Sequence, residues 1–147
     1  MVNTKISYFQ IYPGSRLPEL DAFRPFKALV VVDMQVSDDR QNEISRWLVQ
    51  SGCLYMMAWG IECTTWDDSV DWANIKEFDY KEIPDEKCVM TTWHEDEPLS
   101  DVFEFALMSA QHPIFDLKNI LVLHISDINK ETEFIALYKS VFRELKH

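Results

Sequence analysis

Three residues of types that take part in catalysis lie at or just after the ends of short apolar segments. They are Asp33, Cys63 and His94. If these segments are parallel strands, their carboxyl ends meet at one edge of the sheet, where ligands of open α/β sheets usually bind. The three residues are therefore the candidates for a small hydrolase or ligand-binding site. The thiol of Cys63 would need a base or a cationic neighbour for activation, and the sequence identifies none.

The densest group of polar side chains is His94-Glu95-Asp96-Glu97. A histidine with neighbouring carboxylates could bind a divalent metal or act as an acid–base pair. The simpler interpretation, which we prefer, is that Asp96 and Glu97 cap the helix that follows, with His94 as a loop residue. We accordingly predict no metal site. His124 lies inside an apolar segment and is expected to be a hydrogen-bonded histidine of the core.

Glycine usage argues against a nucleotide site. The chain has only Gly14, Gly52 and Gly60, and neither G-x-G-x-x-G nor G-x-x-x-x-G-K-[ST] occurs. Loops that bind phosphate need glycines where the backbone approaches the ligand. We therefore predict no cofactor.

The net charge of −11 is confined to one third of the chain. Residues 60–105 contain 14 Asp and Glu against 3 Lys, whereas the remaining residues have 11 acids and 11 bases. Such a region opposes binding to nucleic acid or to an anionic membrane, because their recognition depends on Lys and Arg. It favours a basic protein partner, since complementary charge accelerates association. Solubility alone is the alternative explanation.

Four of the five tryptophans lie in or beside this acidic region, at Trp59, Trp66, Trp72 and Trp93. Tryptophan faces attract Lys and Arg side chains, and neighbouring carboxylates neutralise them. Core packing is the alternative role for each ring.

Our leading interpretation is a non-enzymatic protein-interaction module that binds a basic partner through residues 60–105. Its most concrete form is an immunity protein that blocks a basic nuclease toxin. The predicted contact residues are Glu62, Trp66, Asp67, Asp68, Asp71, Glu95 and Asp96. Two alternatives stay open: the strand-end hydrolase or ligand-binding domain, and a structural subunit of a homo-oligomer such as a homodimer.

The elements that must position these residues follow from four nearly continuous apolar segments. They lie at residues 28–33, 54–59, 88–93 and 120–126, and such runs are typical of strands covered on both faces. Each is followed by a segment that can be helical, which favours parallel strands. Residues 5–12 could add an edge strand. We predict a single α/β domain over 1–147: a short, mostly parallel sheet of four to five strands flanked by helices, three-layered and Rossmann-like.

Local signals place the helix starts. Ser37 is expected to cap the first helix, and Thr65 is expected to begin the second through a capping box. Pro98 is predicted as the first residue of the third helix. The strongest helical spacing of apolar residues runs over 130–145.

Apolar segments are also too short for a membrane span, which needs ~20 residues. The amino-terminal residues lack the apolar core of a secretory signal, and the three cysteines form no C-x-x-C pair. We predict a cytoplasmic protein with reduced thiols.

Two resemblances to known families complete the sequence reading. Residues Ala28–Gln35 resemble the first strand of the isochorismatase-like hydrolases, in which the final Asp joins a Lys and a nucleophilic Cys, and Gly60–Thr65 is similar to that family's cysteine turn. In that family the cysteine comes after the lysine, whereas here no lysine lies between Lys27 and Lys76.

The second resemblance is to small uncharacterised bacterial proteins without an assigned activity. Residues Ala58–Cys63, Trp66-Asp67 and Thr91–Glu95 carry it. It extends over about half of the chain and implies no catalytic residue.

Overall fold

The computed structural model describes residues 4–146, which form five strands and four α-helices. The strands are β1 (Lys5–Ile11), β2 (Phe26–Val32), β3 (Cys53–Gly60), β4 (Met90–His94) and β5 (Asn119–Ile125). The helices are α1 (Asp38–Gln50), α2 (Trp66–Glu77), α3 (Leu99–Met108) and α4 (Glu131–Leu145). Short 3-10 turns occur at Asp21–Phe23, Cys63–Thr65 and Asp85–Lys87.

All five strands are parallel and have the order β1-β5-β2-β3-β4. The chain moves outward from β2 through β3 to β4, and then crosses to the other side of β2 with β5. The direction of strand addition therefore reverses between β2 and β5, which is where ligand sites of open α/β sheets are usually found. The predicted α/β class with a three-layer, mostly parallel sheet is confirmed.

The two faces of the sheet carry separate apolar cores. On one face α1 and α2 cover residues such as Val30 and Met56. On the other, α3 and α4 cover residues such as Leu29 and Met57. Both faces of the central strands are buried, which explains why their sequences are apolar throughout and do not alternate.

Of the three residues predicted to mark helix starts, Ser37 is confirmed, whereas the predictions for Thr65 and Pro98 are corrected. Ser37 accepts a hydrogen bond from the Arg40 N–H (3.2 Å) and caps α1. The capping-box prediction for Thr65 is wrong, because its hydroxyl donates to the carbonyl oxygen of Glu62 (2.9 Å) instead. Pro98 immediately precedes α3 and is not its first residue. The predicted edge strand near the amino terminus is present as β1.

No helix in the described range 4–146 combines the length and the apolar character required to cross a membrane.

Candidate functional site

The carboxyl ends of β2 and β5 place a buried histidine between two polar partners. His124 in β5 is 0% exposed. Its Nε2 atom contacts a carboxylate oxygen of Asp33, directly after β2, and its Nδ1 atom lies 2.6 Å from the hydroxyl of Tyr8 in β1. The Tyr8 hydroxyl also accepts a hydrogen bond from the Lys130 N–H (3.0 Å). Because a carboxylate only accepts hydrogen bonds, we assign the proton of the neutral His124 to Nε2, which donates it to Asp33; Nδ1 then accepts from the Tyr8 hydroxyl.

This chain of hydrogen bonds joins the three strands β1, β5 and β2. Both nitrogens of the fully buried His124 are engaged, while the carboxylate of Asp33 and the side chain of Tyr8 are partly exposed. Burial raises the pKa of Tyr8, which keeps its hydroxyl protonated and able to donate. The prediction that His124 is a hydrogen-bonded core histidine is confirmed. Tyr8 was not predicted, and no spacing in the sequence connects it with His124.

Cys63 has the properties of a core residue. It is buried in the turn after β3 and packs into the α1–α2 core. Its Sγ atom lies 3.8 Å from the carbonyl oxygen of His94. Burial raises the pKa of the thiol, and the charge of Glu95 raises it further, so the reactive thiolate is disfavoured. The conditions for an activated nucleophile are therefore not met.

His94 is the final residue of β4, and this corrects the prediction of a loop residue. It is buried, its ring packs against Phe105 of α3 with a centroid separation of 4.6 Å, and its Nε2 lies 3.0 Å from the Thr92 hydroxyl. Its Nδ1 lies 3.1 Å from a carboxylate oxygen of Glu97. Glu97 thus pairs with His94 and does not cap α3, whose N-terminus has no side-chain cap. Asp96 is exposed in a left-handed turn (φ 61°).

Asp33, Cys63 and His94 consequently do not form one group. Asp33 is bonded to His124, which packs against Phe134 of α4 on the α3–α4 side of the sheet. Cys63 packs on the opposite side. His94 also lies on the α3–α4 side, but on β4, which β3 separates from β2.

Three cavities lie around the sheet, and of Asp33, Cys63 and His94 only His94 lines one of these three. A cavity of about 150 Å³ at the ends of β2 and β3 is lined in part by Met34, Gln41 and Glu62. An open cleft next to β4 is lined by Trp59 and residues 94–97. The larger cavity, of about 470 Å³, lies at the opposite end of the sheet, where Gly52 and Leu54 contribute to its wall.

One of the seven residues predicted to contact a partner is buried, which corrects that prediction. Trp66 is 1% exposed and belongs to the α1–α2 core. It begins α2 on the same stripe as Val70, four residues later, which is also fully buried. A large apolar ring in this position stabilises the contact between α2 and the sheet, and it is not available to a partner.

The six predicted acidic residues remain at the surface, and two exposed tryptophans accompany them. Glu62, Asp68, Glu95 and Asp96 are exposed, and Asp67 and Asp71 are partly buried. Trp72 on α2 is 55% exposed and Trp93 on β4 is 47% exposed. We call this surface the acidic aromatic face; it comprises Glu62, Asp67, Asp68, Asp71, Trp72, Trp93, Glu95 and Asp96.

The two elements of this face are joined by a hydrogen bond. The Thr91 hydroxyl of β4 donates to Asp71 of α2 (2.9 Å). Oxygens from Asp67, Asp68 and Asp71 all lie within 4.8 Å of one another. Burial raises the pKa of Asp71, the Thr91 bond lowers it, and the two neighbouring aspartates raise it further.

Almost none of the acids in residues 60–105 forms an ion pair within residues 4–146. Within residues 4–146, Glu97 is the only one of the 14 that lies within 4.0 Å of a basic nitrogen, that of His94. The charge excess found in the sequence is therefore not neutralised by the described part of the fold.

Comparison with known proteins gives a family and no activity. No curated protein and no solved structure matches the chain. The comparisons give no support for an isochorismatase-like relative, whereas the expected similarity to an uncharacterised family is confirmed. A family model matches residues 6–141, which include all five strands except the first residue of β1. The chain therefore belongs to the family described as domain of unknown function (DUF7684).

Proposed function

We propose that the protein is an interaction module that binds a basic protein partner through the acidic aromatic face. One observation carries the proposal: the six acids of the acidic aromatic face have no ion-pair partner within residues 4–146, and the exposed Trp72 and Trp93 lie on the same two elements, α2 and β4. Unpaired charge of one sign over a surface accelerates encounter with a partner of the opposite sign.

The tryptophans favour a protein partner over a simple cation. Trp72 and Trp93 each expose about half of their surface. A tryptophan face can hold the aliphatic stem and the charge of Lys or Arg, and a nearby carboxylate completes the ion pair. Tryptophan is also among the residues that contribute most to binding energy at protein interfaces.

Three aspartates lie together on α2. Burial is the largest cause of the raised pKa of Asp71, and the charges of Asp67 and Asp68 add a smaller repulsion that also disfavours its ionised form in the folded protein. A basic partner would relieve this repulsion on binding. Surfaces that sacrifice some stability in this manner are characteristic of functional sites.

The proposal is tested by capturing partners with three versions of the immobilised protein in extract of the source organism. The first is the wild type, and the second replaces three acids of the face, as Asp68→Asn, Asp71→Asn and Glu95→Gln. The third is a control with the same change of net charge on exposed acids elsewhere, as Glu19→Gln, Glu133→Gln and Glu144→Gln.

We expect the wild type and the control to retain the same basic protein, released by moderate salt. The face variant should bind it at least about tenfold more weakly, because each exposed charge pair at an interface contributes on the order of 0.5–1 kcal/mol. Equal retention by all three versions, or equal loss in both variants, would contradict the proposal.

A further inference from the structure

Strand β4 forms one edge of the sheet and has an unpaired side. Within residues 4–146 it pairs with β3 alone; α2 and the turn at residues 63–65 pack on one side of it, and α3 packs on the other side through Phe105 and His94. Within residues 4–146, the outer side of β4 forms no backbone hydrogen bond with another segment. Exposed edges of this kind can accept an additional strand from another chain.

The hydrogen bonds of the neighbouring strands show which groups of β4 are free. In a parallel sheet, a residue directs its N–H and C=O to one neighbouring strand and the next residue directs them to the other. Ile61 donates to the carbonyl of Val32 in β2 (2.8 Å), so even-numbered residues of β3, among them Ala58, face β4. The backbone groups of a β3 residue that faces β4 bond to the β4 residues before and after its register partner, and not to the partner itself. The register partner of Ala58 is Trp93. The backbone groups of Trp93 and Thr91 therefore point away from the sheet.

These two residues also belong to the acidic side of the sheet. The hydroxyl of Thr91 donates to Asp71, so the side chain of Thr91 lies on the α2 side. Trp93, two residues later, projects to the same side. Met90 and Thr92 project to the opposite side, where Met90 is 39% exposed.

We infer that the basic partner inserts an extended segment beside β4, pairing with the free backbone groups of Thr91 and Trp93 and placing basic side chains at every second position over the α2 side. This inference rests on the proposed function and specifies how the partner is held. Backbone hydrogen bonds would hold the segment in place, and its alternating basic side chains would meet Trp93 and the α2 aspartates.

A second copy of this chain is a poor occupant of the same edge. Pairing of two β4 strands would bring two acidic aromatic faces together, and each carries six acids. Like charges placed opposite one another disfavour an interface. Charge complementarity therefore selects a basic segment from another protein.

The test uses three synthetic peptides, each with blocked ends and the sequence Lys-Thr repeated three times. One peptide is unmodified, one is N-methylated at every lysine, and one is N-methylated at every threonine. All three carry the same charge. A strand directs the amides of alternate residues to opposite edges, so each methylated peptide has lost the donors of one edge and kept those of the other.

Strand addition predicts different affinities for the two methylated peptides. One should bind at least about tenfold more weakly than the unmodified peptide, because it has lost its donors to β4, and the other should bind within about twofold of it. In the complex with the unmodified peptide, amide hydrogen exchange at Thr91 and Trp93 should slow. A glutamate-threonine peptide should not bind.

Three results would overturn the inference. Equal affinity of both methylated peptides would mean that charge alone attracts them, which would leave the proposed function intact. Failure of the unmodified peptide to bind would reject strand addition, while the capture experiment decides the proposed function separately. Slow exchange of both amides in the protein alone, appearing only at high concentration, would show that a second copy covers the edge.

Discussion

Replacement of Tyr8 by Phe tests the hydrogen-bonded chain that joins β1, β5 and β2. The Tyr8 hydroxyl donates to Nδ1 of His124 at 2.6 Å and accepts from the Lys130 N–H at 3.0 Å. Phenylalanine keeps the ring, which packs edge-on against Phe134 with a centroid separation of 6.0 Å. The substitution therefore removes two hydrogen bonds and little apolar contact.

The expected loss follows from the burial of His124. Each hydrogen bond contributes a net ~0.5–1.5 kcal/mol, and a buried acceptor left without a partner costs roughly 1–3 kcal/mol. His124 is 0% exposed, so water cannot replace the lost donor without a rearrangement. We expect Tyr8→Phe to lower the free energy of unfolding by about 2–3 kcal/mol. For a chain of this length, that corresponds to a melting temperature lower by about 4–12 °C.

Urea unfolding followed by circular dichroism, together with calorimetry, measures this loss. The matched control is Tyr12→Phe, because Tyr12 is 48% exposed and its hydroxyl makes a single 3.3 Å bond to Gln10. The control should stay within about 0.5 kcal/mol of the wild type. If Tyr8→Phe is as stable as Tyr12→Phe, the chain does not stabilise the fold and the reasoning is refuted.

Three further predictions concern the glycines, Asp71 and the cysteines. A Cβ at Gly60 (φ 106°) would lie 2.2 Å from a backbone oxygen of β2, whereas nothing lies within 4 Å of a Cβ at Gly14 (φ 74°). In urea unfolding, Gly60→Ala should therefore lower the free energy of unfolding by about 1–3 kcal/mol more than Gly14→Ala does. The pKa of Asp71 is raised in the folded protein, so ionisation of Asp71 opposes folding as the pH rises through that pKa. Asp71→Asn should therefore raise the melting temperature measured by calorimetry at pH 7. The same substitution should give no increase at a pH well below the pKa, where Asp71 is protonated. Burial raises the pKa of the Cys53 thiol to about 12, whereas Cys88 is half-buried. Alkylation of the native protein, followed by mass spectrometry, should therefore modify Cys88 before Cys53. Faster labelling of Cys53 would contradict its buried position.

The sequence reveals the sheet more readily than the site. Apolar segments that do not alternate already indicate doubly covered parallel strands, because such strands face helices on both sides. Strand order was not predictable, since it depends on which faces the helices cover. The contact between Tyr8 and His124 joins residues 116 positions apart, and no local pattern records it.

The assignment of the tryptophans shows what additional signal was available. Trp66 and Val70 are four residues apart on α2, which places them on the same stripe of the helix, and both are buried. Trp72 lies off this stripe and is exposed. The helical phase of α2 could thus have separated the core tryptophan from the surface tryptophan. The apolar pattern ends at Trp93 and therefore predicts a loop at His94, whereas β4 continues for one residue more.

The position of β5 between β1 and β2 has a consequence for synthesis of the chain on the ribosome. The first strand, β1, is complete at residue 11, but it pairs with β5, which ends at residue 125. At about 5–20 residues per second, roughly 6–23 seconds separate the two events. During that interval β2, β3 and β4 can already associate as neighbours, while β1 has no strand beside which to fold. The strand that leaves the ribosome first is therefore among the last to enter the sheet.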